Sequence, residues 1–491
     1  MLRRITTIVI ITLTIVLGAA VCLVVWMLTL TPGPLADFSA AYAEVRAETR
    51  PSPDTPDAWN DLVACLIDLR TAIALAAGAD PDALPDFARL YTNDRTSPED
   101  DALFGAICAI AETPRFDAIY ELNSDATSEE AARTRATLAQ LDTETFRAHL
   151  DALGRARWFQ PRCAPGPGRD ATRHDITDIM VLSRCLIARF TLAWQRDDQA
   201  DVRRCADALT ALSLALRRQP FQMEYRIGLA IQNFLVTAIV KRIGDGRPGP
   251  LADALIDDLV RLEQAPHWTR SLRGERLGFD VAIDLVYTGH PGGNGRFLPG
   301  HAVMTWEFEE TEDLPLISRI NNLRGGLAPD RIEMQTLVDG YWDEVLALDA
   351  PDAAAITAIG NRYVTRLNTL APDQAILQGP FDITLDEFFV NSIVDTLERE
   401  SKQIDETRRA VIVALLIERQ HDLSGTWPAS LAGIDDPRMP AHEALIYRRL
   451  EATAPDSAPY VLYSKGDNQR DDGGDPALDR VVIGPRPAVS R

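Results

Sequence analysis

The feature that most constrains this chain is the stretch Ile5–Leu30, which carries no charged residue and is preceded by Met1-Leu2-Arg3-Arg4. As a helix it rises about 39 Å at ~1.5 Å per residue, enough to cross a hydrocarbon core of about 30 Å with some tilt. Thr6, Thr7, Thr12, Thr14 and Thr29 suit such a span, because their hydroxyls bond back to the helix backbone. Trp26 lies near the far end, where an indole fits the interface. Arg3 and Arg4 flank the near end, whereas Thr31-Pro32-Gly33-Pro34 brings no cation to the other. The positive-inside rule then places the N-terminus in the cytoplasm and the chain from about Pro32 outside, a single-pass signal anchor. A cleaved signal peptide is the rival reading. Its apolar core would be about 7–15 residues long and end at a small-residue site. Gly18-Ala19-Ala20 is such a cluster, but a second apolar stretch follows it and cleavage would leave that stretch exposed. Cys22 would suit a lipoprotein, except that Val21 stands where those signals carry a small residue. The expected location is the cytoplasmic (inner) membrane, with a periplasmic or otherwise extracytoplasmic ectodomain.

The roughly 460 residues that follow are enough for several domains. Apolar residues make up 46% and charged residues 25%, which supplies a sizeable globular core. The net charge of -22 repels phosphate backbones, so nucleic acid is an unsuitable partner, while cationic proteins and divalent metals remain suitable ones. Outside the apolar run the cysteines are Cys65, Cys108, Cys163, Cys185 and Cys205, an odd number that cannot all pair within one chain. Cys65, Cys108, Cys185 and Cys205 fall in apolar helical patterns and read as small buried hydrophobes. Cys185 and Cys205 lie on consecutive helices, where a disulfide is the alternative.

Helical periodicity dominates the chain. A short spacer and first helix cover 31–57, with Ala36–Glu48 helical. Thr55 reads as an N-cap with Pro56 in the first turn, ahead of a helix over Asp57–Ala77 that aligns Trp59, Leu62, Cys65, Leu66 and Leu69. Shorter helices continue to about Arg157, and the Pro/Gly-rich Gln160–Gly168 is a joint. Asp175–Ile243 is the clearest helical block. Ile179, Leu182, Leu186 and Phe190 share one face; beyond the turn Gln195–Asp198, Cys205, Leu209, Leu212 and Leu216 face back; a third helix runs from Pro220 to Lys241. The first pair resembles a tetratricopeptide-type hairpin, but no repeat of about 34 residues follows, so plain helix-bundle packing is the simpler expectation. Further helices are expected over Leu314–Arg324, Arg331–Leu348, Asp352–Leu370 and Leu385–His421. The last contains the unbroken apolar run Ala410–Ile417, the mark of a helix buried on most sides. Strand patterns appear only after it, at Ala444–Arg448, Tyr460–Ser464 and Arg480–Ile483.

The fold class expected is therefore mainly α: a transmembrane helix (5–30) after a cytoplasmic tail (1–4), a helical region (31–157), a helical bundle (158–384) with helical-hairpin repeats as a variant, and a small C-terminal α+β module (385–491) with a short antiparallel sheet.

Chemistry is sparse. No zinc-protease, nucleophile-elbow or phosphate-loop motif occurs. The Gly-rich Gly289–Arg296 lacks both the preceding strand and the Lys of a phosphate loop and reads as a connection. The acidic stretch Trp306–Asp313 reads as a solvated helix end, with a cation-binding face as the sharper alternative. The seven histidines are scattered, and carboxylates are too numerous for any acid–base pair to stand out. The strongest candidate is Gly466–Asp475. Clustered Asp and Asn side chains supply oxygens for calcium, and its glycines let carbonyls turn inward. The same residues also suit a solvated acidic turn. Asp471 and Asp475 are candidates from this loop composition alone.

Tyr460–Asp467, Asp472-Gly473-Gly474 and Asp479-Arg480-Val481, after the Ala410–Ile417 helix and the turn Gly425-Thr426-Trp427-Pro428, resemble the C-terminal domain of the major pseudopilin of type II secretion. The likeness covers about 85 residues. It implies a helix followed by a small sheet and a calcium-binding loop, with Asp467, Asp472 and Asp479 as ligands and carbonyls near Leu462 and Ser464 assisting. The family's processing motif does not precede Ile5, so the resemblance implies the module and not filament assembly. The overall plan is also similar to that of uncharacterised bacterial single-pass membrane proteins. The functional expectation is a membrane-anchored envelope protein with a helical scaffold or interaction ectodomain, bound to the bilayer through residues 5–30, with envelope proteins as partners and calcium as its one cofactor. Alternatives are an accessory component of a secretion or pilus-like machine and an exported enzyme.

Overall fold

The computed structural model describes residues 38–81, 84, 87, 129–160, 173–243, 249–289, 294–298, 329–348, 352–370, 392–434, 436–440, 444–450, 460–465, 470–475 and 480–483. The apolar run 5–30, the acidic stretch 306–313 and the expected helix 314–324 lie outside these residues. Among the described residues no helix is long and apolar enough to cross a membrane. The described residues are mainly helical, with one short antiparallel sheet among them, as the periodicities predict.

The helices, in order, are α1 (Ser39–Glu48), α2 (Trp59–Ala76), α3 (Glu129–Gln140), α4 (Glu144–Gly154), α5 (Arg173–Gln195), α6 (Gln199–Arg217), α7 (Gln222–Val240), α8 (Gly249–Arg261), α9 (Leu272–Val286), α10 (Arg331–Leu346), α11 (Ala353–Leu370) and α12 (Ser392–Ser424). Three strands follow: β1 (Leu445–Arg449), β2 (Tyr460–Ser464) and β3 (Arg480–Ile483). The compact units are not contiguous in sequence. Leu272–Glu398 forms the body of one; Ala43–Ala164, Ala171–Ser271 and Arg399–Arg491 make up the other. The C-terminal strands therefore fold with the central helices rather than as a separate body.

In the larger unit α6 is the hub, packed by α4, α5, α7 and α8. Its expected face, Cys205, Leu209, Leu212 and Leu216, is buried, but so are Ala206, Ala208, Thr210, Ala211, Ser213 and Ala215 on its other sides. Small side chains there let the neighbours approach closely. At Gly228 of α7 a Cβ would stand 2.8 Å from the Ser213 carbonyl oxygen, and the Ser213 hydroxyl donates to the Gly228 carbonyl at 2.7 Å. The turn from α5 into α6 places Asp197 at φ 59, and Asp198 caps α6 by accepting from the Asp201 amide. Cys65, Cys185 and Cys205 are buried free thiols. Burial pushes Cys185 up to about 12 and raises Cys65 and Cys205 as well, so all three sit as neutral hydrophobes.

The start of α2 differs from expectation for a structural reason. α2 begins at Trp59 rather than in the Thr55–Pro56 turn. Asp57 Oδ1 accepts from the Trp59 amide at 3.0 Å and from the Gln160 amide at 2.9 Å, so a long-range contact sets the helix start.

The smaller unit packs α10 against α9 and α11. Asp330 and Glu333 form a capping box on α10. Phe279, Tyr341, Trp342 and Tyr363 make edge-on aromatic contacts in its core. The ends of the Gly-rich segment close on themselves: the Thr288 amide donates to the Arg296 carbonyl at 2.9 Å, and Tyr287 bridges Phe297. Residues 290–293 of the segment lie outside the described residues.

Candidate functional site

The candidate loop hangs between β2 and β3, and the sheet beneath it is built on α12. Ala410–Ile417 is buried along its whole length, and α12 stops at Gly425, whose φ of 70 suits a C-terminal glycine cap. β1 pairs antiparallel with β2 and β2 with β3, with a shift of register between β2 and β3 at Leu462/Tyr463. Alternation puts Tyr460 and Leu462 into the core shared with α12, leaving Val461 and Tyr463 on the other face. The Tyr460 hydroxyl donates to Glu418 Oε1 at 3.1 Å, and Trp427 lies between His421, stacked at 3.8 Å, and Tyr460.

Val461 and Tyr463 are nonetheless buried; Gly474 of the loop lies against both, and the Arg448 guanidinium lies over the Tyr463 ring. A Cβ on Gly474 would meet Val461 Cγ2 at 3.1 Å and Tyr463 Cδ1 at 3.3 Å. Gly473 and Gly474 both have φ of 83, a conformation that glycine alone adopts without strain. The loop's backbone is thus folded onto the strand by the glycines that suggested a turning ligand loop.

Asp471 holds the loop there. Its Oδ1 accepts from the Tyr463 hydroxyl at 2.7 Å and from the Gly473 amide at 3.0 Å; its Oδ2 accepts from Arg448 Nη2 at 2.7 Å. The Tyr463 hydrogen bond, then the Gly473 amide and Arg448, hold its carboxyl below the usual range. Asp472 is half-buried and Asp475 exposed, and each makes a further contact. Asp467 and Asp479 lie outside the described residues. Among the described residues no group of three His, Cys, Asp or Glu side chains converges as a metal cage. The donor chemistry separates the candidates: Asp471 already carries a guanidinium and a phenol on its oxygens, whereas calcium needs carboxylate oxygens open to it.

A second concavity escaped the sequence reading. A groove of about 450 Å³ lies between α7 and α12, with Ile227 and Asn233 on one wall and Gln403 and Thr407 on the other. Arg226 Nε and Glu400 Oε2, 3.6 Å apart, join the walls. Behind it runs a buried polar seam: Arg217 donates to Gln232 Oε1 at 2.6 Å and to the Tyr225 hydroxyl at 3.1 Å, and Tyr225 meets Ser401 at 3.2 Å. No sequence signal announces this groove, because its walls come from distant segments.

No protein family model, no curated protein and no solved structure matches this chain.

Proposed function

We propose that this chain is a single-pass envelope protein, anchored by residues 5–30, whose acidic helical ectodomain serves as a scaffold for other envelope proteins. The observation that carries this reading is the charge-free run Ile5–Leu30 behind Arg3 and Arg4, joined to a large body in which densely packed helices prevail. Protease added to spheroplasts tests the topology. Digestion of the body with retention of a small membrane-bound fragment is the expected result; a body protected until the membrane is lysed would sink the reading. Crosslinking in intact cells then has to trap envelope proteins. A clean monomer that turns over a small molecule would favour an exported enzyme instead.

The C-terminal part is proposed as a calcium-stabilised module. Support comes from the order helix, turn, three-stranded meander, with the acidic loop between the second and third strands. In this reading Asp467, Asp472 and Asp479 hold the ion, Asp475 lies beside it, and Asp471 pins the loop to Tyr463 and Arg448. Calcium would cross-link the loop's carboxylates and relieve their mutual repulsion. Melting of the full chain in detergent with calcium and with chelator is the test. A calcium-dependent rise in melting temperature that disappears in the Asp467→Ala/Asp472→Ala protein is expected; no shift, or a shift that survives the substitutions, overturns it. The same helix-and-meander order supports a second reading, an accessory component of a secretion or pilus-like machine, which co-purification with such a machine would test.

A further inference from the structure

α8 carries acid on two faces. On its exposed face Asp253 and Asp257 hold Arg438, and Asp253 also holds Arg419 at 3.1 Å. The two guanidiniums meet again on Asp436, at 2.7 Å from Arg419 and 2.9 Å from Arg438. The opposite face buries Asp258, which is 3% exposed, against Asp207 of α6. One guanidinium nitrogen serves both carboxyls there. Arg261 Nη1 lies 2.8 Å from Asp258 Oδ1 and 3.3 Å from Asp207 Oδ1. Nε and Nη2 of Arg261 are buried and make no hydrogen bond among the described residues, so the guanidinium forms no two-pronged fork with either carboxylate. The other cations facing the pair are exposed: Arg203 of α6, 3.8 Å from Asp207, and Arg157, just beyond α4. The two carboxyls lie within interacting reach of each other, both on Arg261 Nη1, where a hydrogen bond can form between them. Ionised carboxylates only accept, so such a bond requires a proton on one of them.

We propose that Asp207 and Asp258 hold one proton between them and form a pH-sensitive latch that ties α8 to α6. Loss of the proton sets two negative charges against the one guanidinium of Arg261 at a largely buried contact. The helix that loosens is the one that grips Arg438 and Arg419, so the latch governs how firmly the segment leading to the sheet is held. Burial first, and Asp207 second, push Asp258 up to about 8. In a locally opened state its carboxyl returns to an ordinary value of about 3.9. Opening therefore releases a proton between those limits. The latch is strongest at low pH, weakens as pH rises and is fully lost above about 8.

Hydrogen exchange of the full chain in detergent, followed from about pH 5.5 to about pH 8.5, tests this. After correction for base-catalysed intrinsic exchange, the α8 opening equilibrium should rise about tenfold per pH unit and then level off. Asp258→Asn, which keeps a neutral polar group in place, should flatten that slope. Asp207→Asn removes the like charge only and should move the plateau to lower pH; it keeps the test alive where Asp258→Asn fails to fold. Isotope-edited infrared spectra near neutral pH should show a protonated aspartic acid that Asp258→Asn abolishes. Protection of α8 that ignores pH in the wild-type chain overturns the proposal. So does a slope that survives Asp258→Asn, or a plateau unmoved by Asp207→Asn.

Discussion

α6 and β2 are both covered on every side, but by different means. Around α6 the cover is apolar apart from the Asp207–Asp258 contact with α8: leucines on one side, alanines and Ser213 on the others, and four neighbouring helices. β2 has α12 on one face and a loop on the other, and that loop rests on two glycines and a single carboxylate. Apolar cover is strong and does not titrate. Polar cover depends on a few partners, and acid or cations can reach it. A chain that combines the two has a rigid hub and an adjustable edge.

Four substitutions would break or sharpen that contrast. Leu209→Ala opens a cavity at the hub and should cost about 2–5 kcal/mol in denaturant unfolding, the largest effect of the set. Gly228→Ala forces a methyl toward the Ser213 carbonyl, and overpacking of this kind costs about 1–3 kcal/mol. Tyr460→Phe strips Glu418 of a buried donor and should cost roughly 1.5–3 kcal/mol, measured the same way. Asp471→Asn should disturb stability least, while raising proteolytic cleavage within 470–475; cleavage equal to wild type would mean that Asp471 does not hold the loop.

Acid provides a further, smaller probe. Hydrogen bonds from Arg438, followed by its charge and that of Arg419, hold Asp436 down to about 2. A depressed carboxyl contributes stability above its unfolded value of about 3.9, and that contribution is lost as pH falls toward about 2. The melting-temperature gap between wild type and Asp436→Asn should therefore close between about pH 4 and about pH 2. A constant gap would show that Arg438 and Arg419 do not act through charge on Asp436.

Much of the helical layout was legible. Ile179, Leu182, Leu186 and Phe190 recur at turn spacing and are buried, and the three strands fall within a residue of where alternation put them. The hub role of α6 was not legible, because Ala, Ser and Thr carry little hydrophobic signal and their burial depends on how many neighbours surround a helix. The candidate loop was half legible. Its glycines and carboxylates mark a turn, but Asp471 looks like its neighbours in sequence, and only the folding of the loop back over Tyr463 singles it out.

What the sequence by itself determined is local: which segments coil or extend, which face of each seeks cover, and that the charge-free stretch Ile5–Leu30 precedes an acidic body. What only the tertiary structure decided is pairing across long separations. It joins Arg399–Arg491 to the central helices, sets Asp258 against Asp207, and lays the glycines of the loop on β2. The physical reason is that periodicity follows from the backbone's own repeat, whereas the partner of a buried charge or a bare strand face depends on which surfaces meet once the chain has closed.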